Sequence, residues 1–255
     1  MEYSSTKLQE AIDDKVQKKQ RQPRFYVISG SYMRGYSTEE SDIDIIGFHT
    51  TPPDSYSYLF KPEGEISVET QVENKTVEIR SYELRKFCKM IVQANFRIIE
   101  SIICGEQVMN GMPLEIEALK SLINNSLPLN VPNTYFGMAK SNYYSGLDRN
   151  KKSSYDPKPK NFIHVYRSLI AAKYTSNYNN IISDVTKLAQ EVSEANEDII
   201  NELIKCRKQN KKVDSDLENR IHNEISYMFN VVEPPESPDK QEFKQEIDKW
   251  MRKVR

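Results

Sequence analysis

A chain of 255 residues with 38% hydrophobic and 29% charged side chains can bury a core, which excludes a disordered protein. Lys+Arg total 36 against 37 Asp+Glu, a net charge of -1, so a nucleic-acid surface would have to come from local clustering. The three cysteines, Cys88, Cys104 and Cys206, are too few and too widely spaced for a disulfide framework or a zinc site.

In chain order, Leu8, Ile12 and Val16 recur every four residues, which predicts an amphipathic helix over 5–19. The polar segment over 1–20 has no apolar core of the signal-peptide kind, and no apolar run reaches membrane-spanning length. A reducing cytoplasm is the expected setting. Residues 24–29 read as a buried strand ending at Gly30, residues 31–36 as one or two helical turns, and residues 42–48 as a second strand with Ile43 and Ile45 on one face. Pro52, Pro53 and Pro62 mark a loop over 50–64, and further strands are expected over 66–73 and 75–80.

From Ser81 the period changes. Leu84, Phe87, Cys88 and Ile91 define a helix face, and a second helix over 95–104 stops at Gly105. Everything after that reads as helical: 114–124, 133–147, 160–174, 184–192, 196–208 and 214–230. A proline-rich linker over 233–238 and a last polar helix over 239–255, expected to be loosely held, complete the chain. The expected fold class is α/β (α+β), a small mixed sheet with flanking helices followed by an all-helical domain. The expected divisions are 1–110, 111–232 and 233–255.

The stretch from Gly30 to Asp44 concentrates the chemistry. A strand runs into Gly30-Ser31 and a short helix begins, so backbone N–H groups and the Ser31 hydroxyl can hold phosphate oxygens. Asp42 and Asp44 are two apart on extended chain and project from one face. Paired hard carboxylates favour Mg²⁺ or Mn²⁺, with substrate phosphates completing the shell. Glu78 is the first choice for a third carboxylate, alternating with Val77 and Ile79; Glu69 and Glu73 alternate in the same way. The third carboxylate is also the expected base for an attacking hydroxyl. Neither a P-loop nor a Rossmann glycine fingerprint is present.

The order Gly30-Ser31, Gly35, Thr38, Ser41-Asp42-x-Asp44 closely resembles the signature of the polymerase β nucleotidyltransferase superfamily. Its full spacing, with Tyr82-Glu83-Leu84-Arg85-Lys86-Phe87 and a weaker echo from Lys158 through His164, Arg167 and Leu169, resembles the RNA repair pathway DNA polymerase β family. The likeness spans residues 24–175. It implies that residues 1–110 form a nucleotidyltransferase domain and residues 111–232 a substrate-binding helical one. It also implies an NTP and a divalent metal, with transfer of a nucleotidyl group to a hydroxyl and release of pyrophosphate.

Carried over, Gly30 and Ser31 bind triphosphate, and Asp42, Asp44 and Glu78 bind metal. Arg34, His164 and Arg167 stand at candidate phosphate-binding positions. Tyr32 departs from the pattern, where relatives often carry Arg, as does Glu78, where Asp is commoner. The family's name implies an RNA substrate such as a tRNA end.

Outside the motif, Lys160, His164 and Arg167 make a basic helix face that solvation alone would explain. Lys205, Arg207, Lys208, Lys211 and Lys212 cluster at a helix end, where the helix dipole favours cations in any case. These, with Arg149, Lys151 and Lys152, can grip an RNA backbone. Tyr135, Tyr143, Tyr144 and Tyr155 can either stack on bases or pack the core. His49 and His222 are isolated and read as structural. Two other readings are a protein or small-molecule acceptor, and a non-catalytic nucleotide- or RNA-binding module.

Overall fold

The computed structural model describes residues 4–17, 21–57, 59, 63–126, 130–148, 155–233, 236 and 240–255. By contacts the chain divides into two compact units. One comprises Met1–Met33, Glu39–Ser126 and Asp239–Arg255; the other comprises Arg34–Thr38 and Leu127–Pro238. These bounds differ from the expected ones because the chain crosses between units inside the Gly30–Asp44 stretch and returns for its last helix.

The first unit is built on five strands: β1 (Gln22–Ile28), β2 (Ile43–Thr50), β3 (Glu65–Val72), β4 (Lys75–Glu83) and β5 (Glu106–Asn110), in the order β3-β4-β2-β1-β5. β2 and β4 run parallel and every other neighbouring pair is antiparallel, so the sheet is mixed. One face is covered by α1 (Ser5–Val16), whose Leu8, Ile12 and Val16 pack with Tyr26, Ile28, Ile43, Ile45, Val77, Ile79 and Val108. Ser4 caps α1 by accepting from the Lys7 N–H. On the other face Phe48 packs against Phe87 of α3 (Leu84–Val92) at 4.9 Å and against Trp250 of α11 (Gln241–Val254) at 6.0 Å.

α2 (Gly30–Met33), α4 (Phe96–Cys104) and α5 (Pro113–Ser126) complete this unit. Glu83 ends β4 and caps α3 by accepting from the Arg85 N–H, which gives the Tyr82–Phe87 segment its role at the strand-to-helix turn. Two sequence expectations are corrected here. Residues 106–110 form the edge strand β5 and are not helical. Only Val108 of the strand is buried, so its sequence carries little alternation. The last helix is not loosely held: Phe243, Ile247, Trp250 and Val254 are buried against α3 and α5.

Tyr26, Ser81 and His49 form a fully buried polar line on the α1 face. The Tyr26 and Ser81 hydroxyls are 2.5 Å apart, and Ser81 Oγ lies 2.7 Å from His49 Nδ1. Burial, reinforced by the charge of Arg21, pulls the imidazole down to about 4. An unfolded histidine protonates near pH 6.5. The contribution of His49 to stability is therefore complete above about pH 6.5 and is lost as the pH falls toward about 4. Between about pH 7.5 and about pH 5, urea unfolding of the wild type should lose about 2 kcal/mol more than that of His49→Gln. Equal losses in the two proteins would show that His49 is not held neutral by the fold.

The second unit is helical. It contains α6 (Val131–Asn142), a π-helical turn over Tyr143–Leu147, α7 (Pro159–Tyr178), α8 (Val185–Glu191), α9 (Glu197–Lys208) and α10 (Ser215–Val231). α7 is its axis and packs against α6, α8, α9 and α10, so it is buried on nearly every side. Of Lys160, His164 and Arg167, the solvated reading holds for exposed Lys160 but not for Arg167, which is only 2% exposed; His164 is half-buried. The middle of a helix surrounded by others has no free side to give to solvent, and exposure is confined to its ends. Asp184, Asn196 and Asp214 cap α8, α9 and α10.

Candidate active site

Gly30 sits at the end of β1 with φ +63°, a left-handed conformation that glycine adopts without strain. The Ser29 N–H donates to the Asp44 carbonyl at 2.8 Å, tying the β1 terminus to β2. A Cβ on Gly30 would stand 1.8 Å from Asp44 Oδ2, so the Asp44 carboxylate lies directly over the glycine backbone. Ser31 is buried in the first turn of α2, and the Tyr32 hydroxyl donates to the Ser41 carbonyl at 3.3 Å. Tyr32 thus secures the loop that leads into Asp42.

Asp42 is exposed, one residue ahead of β2. Asp44 is half-buried and stands opposite Glu78 in the parallel register between β2 and β4. Residues paired across adjacent strands point to the same face. Glu69 of β3 is opposite Glu78 on the far side, so it also joins this face. Glu73 does not: it occupies the β3–β4 turn with φ +56° and pairs with Lys7 at 2.8 Å.

Arg80, two residues along β4, places Nε and Nη2 at 2.8 and 2.6 Å from Glu78 Oε1. The hydrogen bonds Arg80 donates to Glu78, with the charges of Glu78 and Asp44, hold the guanidinium above its ordinary range. Among the described residues, no three His, Cys, Asp or Glu side chains are gathered to hold a metal as they stand.

The remaining candidates lie in the second unit. Residues Arg34–Thr38 are built into it: the Val185 N–H donates to the Arg34 carbonyl at 3.0 Å, and Arg207 Nε donates to the Tyr36 carbonyl at 2.7 Å. Gly35, at φ +78°, packs under Asp184, where a Cβ would come within 2.4 Å of Oδ2. The Tyr36 hydroxyl is 3.4 Å from the His164 ring nitrogens. Arg167 Nε donates to the Ser183 carbonyl at 2.8 Å.

Burial, then the charges of Arg34, Lys160, Arg167 and Arg207, pull His164 down to about 3, so it is neutral at ordinary pH. His164 can therefore offer a phosphate a hydrogen bond but no charge.

Gly30, Ser31, Asp42, Asp44 and Glu78 thus lie in one unit, with Asp44 over Gly30 and opposite Glu78, and Arg34, His164 and Arg167 lie in the other. Sequence reasoning missed Arg80, although its two-residue spacing from Glu78 was a usable signal. It also missed Tyr36 and the contact Arg207 makes with it, which joins residues 171 apart in the chain and leaves no local trace. Lys205, Lys208, Lys211 and Lys212 are exposed, and Lys212 pairs with Asp156 at 2.8 Å. Arg149, Lys151 and Lys152 lie outside the described residues.

The profile of the RNA repair pathway DNA polymerase beta family matches residues 5–253. The chain belongs to that family. No functionally curated protein sequence is detectably similar to it. Among solved structures it is similar to a nucleotidyltransferase-like protein from Exiguobacterium sibiricum 255-15, with 11% identity and a TM-score of 0.34 over 98% of this chain and 79% of that one. The family membership accords with the mixed sheet and the helical C-terminal region of the fold. No described helix is long and apolar enough to cross a membrane.

Proposed function

We propose that this protein is a metal-dependent nucleotidyltransferase that moves a nucleotidyl group from an NTP to a hydroxyl on an RNA end, such as that of a tRNA, and releases pyrophosphate. The observation that carries the reading is the seating of the Asp44 carboxylate on Gly30, directly beside the Ser31 turn and opposite Glu78. Family membership supports the reaction class, and the RNA acceptor rests on the family's description.

The donor set fits a hard divalent cation. Asp42, Asp44 and Glu78 offer only carboxylate oxygens, and triphosphate oxygens would complete the shell. Mg²⁺ or Mn²⁺ held there would neutralise charge on the triphosphate and make the acceptor hydroxyl more acidic. Ser31 and the N–H groups that follow it would hold the terminal phosphates, fixing the α-phosphorus before the acceptor. The acceptor oxygen forms a bond to that phosphorus as the bond to pyrophosphate breaks, and Glu78 takes the hydroxyl proton. In the helical unit, the exposed Lys208 and Lys211 offer a salt-sensitive grip on RNA.

Each labelled NTP should be offered with total RNA and Mg²⁺ or Mn²⁺ to the wild type and to Asp42→Ala/Asp44→Ala. Nuclease-sensitive label that vanishes in the double variant is the expected result. Label that resists nuclease and stays with protein would replace RNA by a protein acceptor. Failure of the folded wild type to bind any NTP would leave a non-catalytic module.

A further inference from the structure

Building on the metal reading, we infer that Arg80 is a resident counter-cation of the carboxylate face, and that it competes with the incoming metal for Glu78. Both of its contacting nitrogens, Nε and Nη2, converge on one oxygen, Glu78 Oε1. Glu78 is the carboxylate directly opposite Asp44. Arg80 itself is paired in register with Ile46 on one side and Ser67 on the other, so its own cross-strand neighbours are uncharged. Its acidic company on this face is Glu78, Asp44 and, on β3, Glu69 and Glu65, the last paired with Lys86 at 2.6 Å.

Clustered carboxylates repel one another in the absence of a cation, and an arginine placed two residues along the same strand relieves that repulsion. The same contact holds Glu78 Oε1 on Arg80. Glu78 and Arg80 are 32% and 38% exposed, so solvent and ions reach the pair and exchange requires only side-chain rotation. An acidic face thus stays neutralised until metal arrives, and metal occupancy becomes sensitive to the hold of Arg80 on Glu78.

The test is Mn²⁺ binding to the full-length protein, read by the free-Mn²⁺ electron paramagnetic resonance signal, for wild type, Arg80→Gln, Glu78→Gln and the double variant. Removing the competitor should tighten Mn²⁺ binding about threefold, the scale expected for an exposed ion pair. In the Glu78→Gln background the same Arg80 substitution should have little effect, because the contested ligand is gone. Arg80→Lys, which keeps the charge but has a single ammonium in place of the two converging nitrogens, should fall between. Circular dichroism and urea unfolding confirm that each variant is folded.

Unchanged or weaker Mn²⁺ binding in Arg80→Gln would overturn the inference and leave the pair as an ordinary surface ion pair. An equal gain in both backgrounds would overturn it too, by reducing the effect to net charge. No Mn²⁺ binding by the wild type would remove the metal reading, and this inference with it; binding that ignores Arg80 would remove the inference alone.

Discussion

Replacing Gly30 by alanine is expected to cut nucleotidyl transfer by about a hundredfold or more while leaving the sheet intact. Two effects combine. The new Cβ would meet Asp44 Oδ2 at 1.8 Å, so the carboxylate has to swing away from its place opposite Glu78. The backbone also keeps φ +63°, which costs a residue with a side chain about 1 kcal/mol. That cost is small against the stability of a domain of this size, whereas displacing the proposed catalytic carboxylate by about 1 Å is enough for the loss of rate. Steady-state kinetics beside urea unfolding separates the two. Near wild-type turnover in Gly30→Ala would show that Asp44 is not needed in its observed position. Glycine is required here by a carboxylate, and any side chain at this position would compete with Asp44 for the same space.

Truncating Trp250 to alanine should destabilise the protein by about 3–5 kcal/mol, the range for removing a large buried aromatic. Trp250 is 4% exposed, lies 6.0 Å from Phe48 of the central strand, and donates its indole N–H to the Glu115 carbonyl at 2.7 Å. One side chain therefore joins α11 to both β2 and α5. The C-terminal Arg255 adds a second fastening: its guanidinium lies 4.8 Å from the centre of the Tyr56 ring, and Arg85 lies 4.3 Å from the same ring. Stability from urea unfolding followed by tryptophan-independent far-ultraviolet ellipticity is the measurement. A loss below about 1 kcal/mol would mean that α11 adds little to the unit on which it packs. The last helix of the chain is thus part of the fold that carries Asp44, because β2 is buried under it.

Much of this was legible locally. A continuous apolar run located β1, alternation of apolar residues located β2, β3 and β4, and the four-residue repeat of Leu8, Ile12 and Val16 located α1. The tight sequence from Gly30 to Asp44 marked the carboxylates because the turn and the strand that carry them are neighbours in the chain. The expected helix starts at 184, 196 and 214 lie within a residue of the observed ones, where Asp184, Asn196 and Asp214 are the caps.

Other features were decided only by tertiary packing. β5 is a strand because β1 offers it an edge, and its own residues show almost no period. The last helix looked merely polar because four large apolar side chains on a charged helix reveal amphipathicity but not a partner. Arg167 and His164 were read as one side of an amphipathic helix, yet neighbours on all sides of α7 bury the arginine and hold the imidazole neutral. The sequence by itself determined which residues can form strands, helices, caps and the Gly30–Asp44 turn, since those depend on neighbours along the chain. Only the tertiary structure decided that Glu78 faces Asp44, that Arg80 occupies Glu78, and that Arg207 meets Tyr36. Strand register and side-chain contact are set by the minimum of packing and charge energy over the whole chain, which no local window contains.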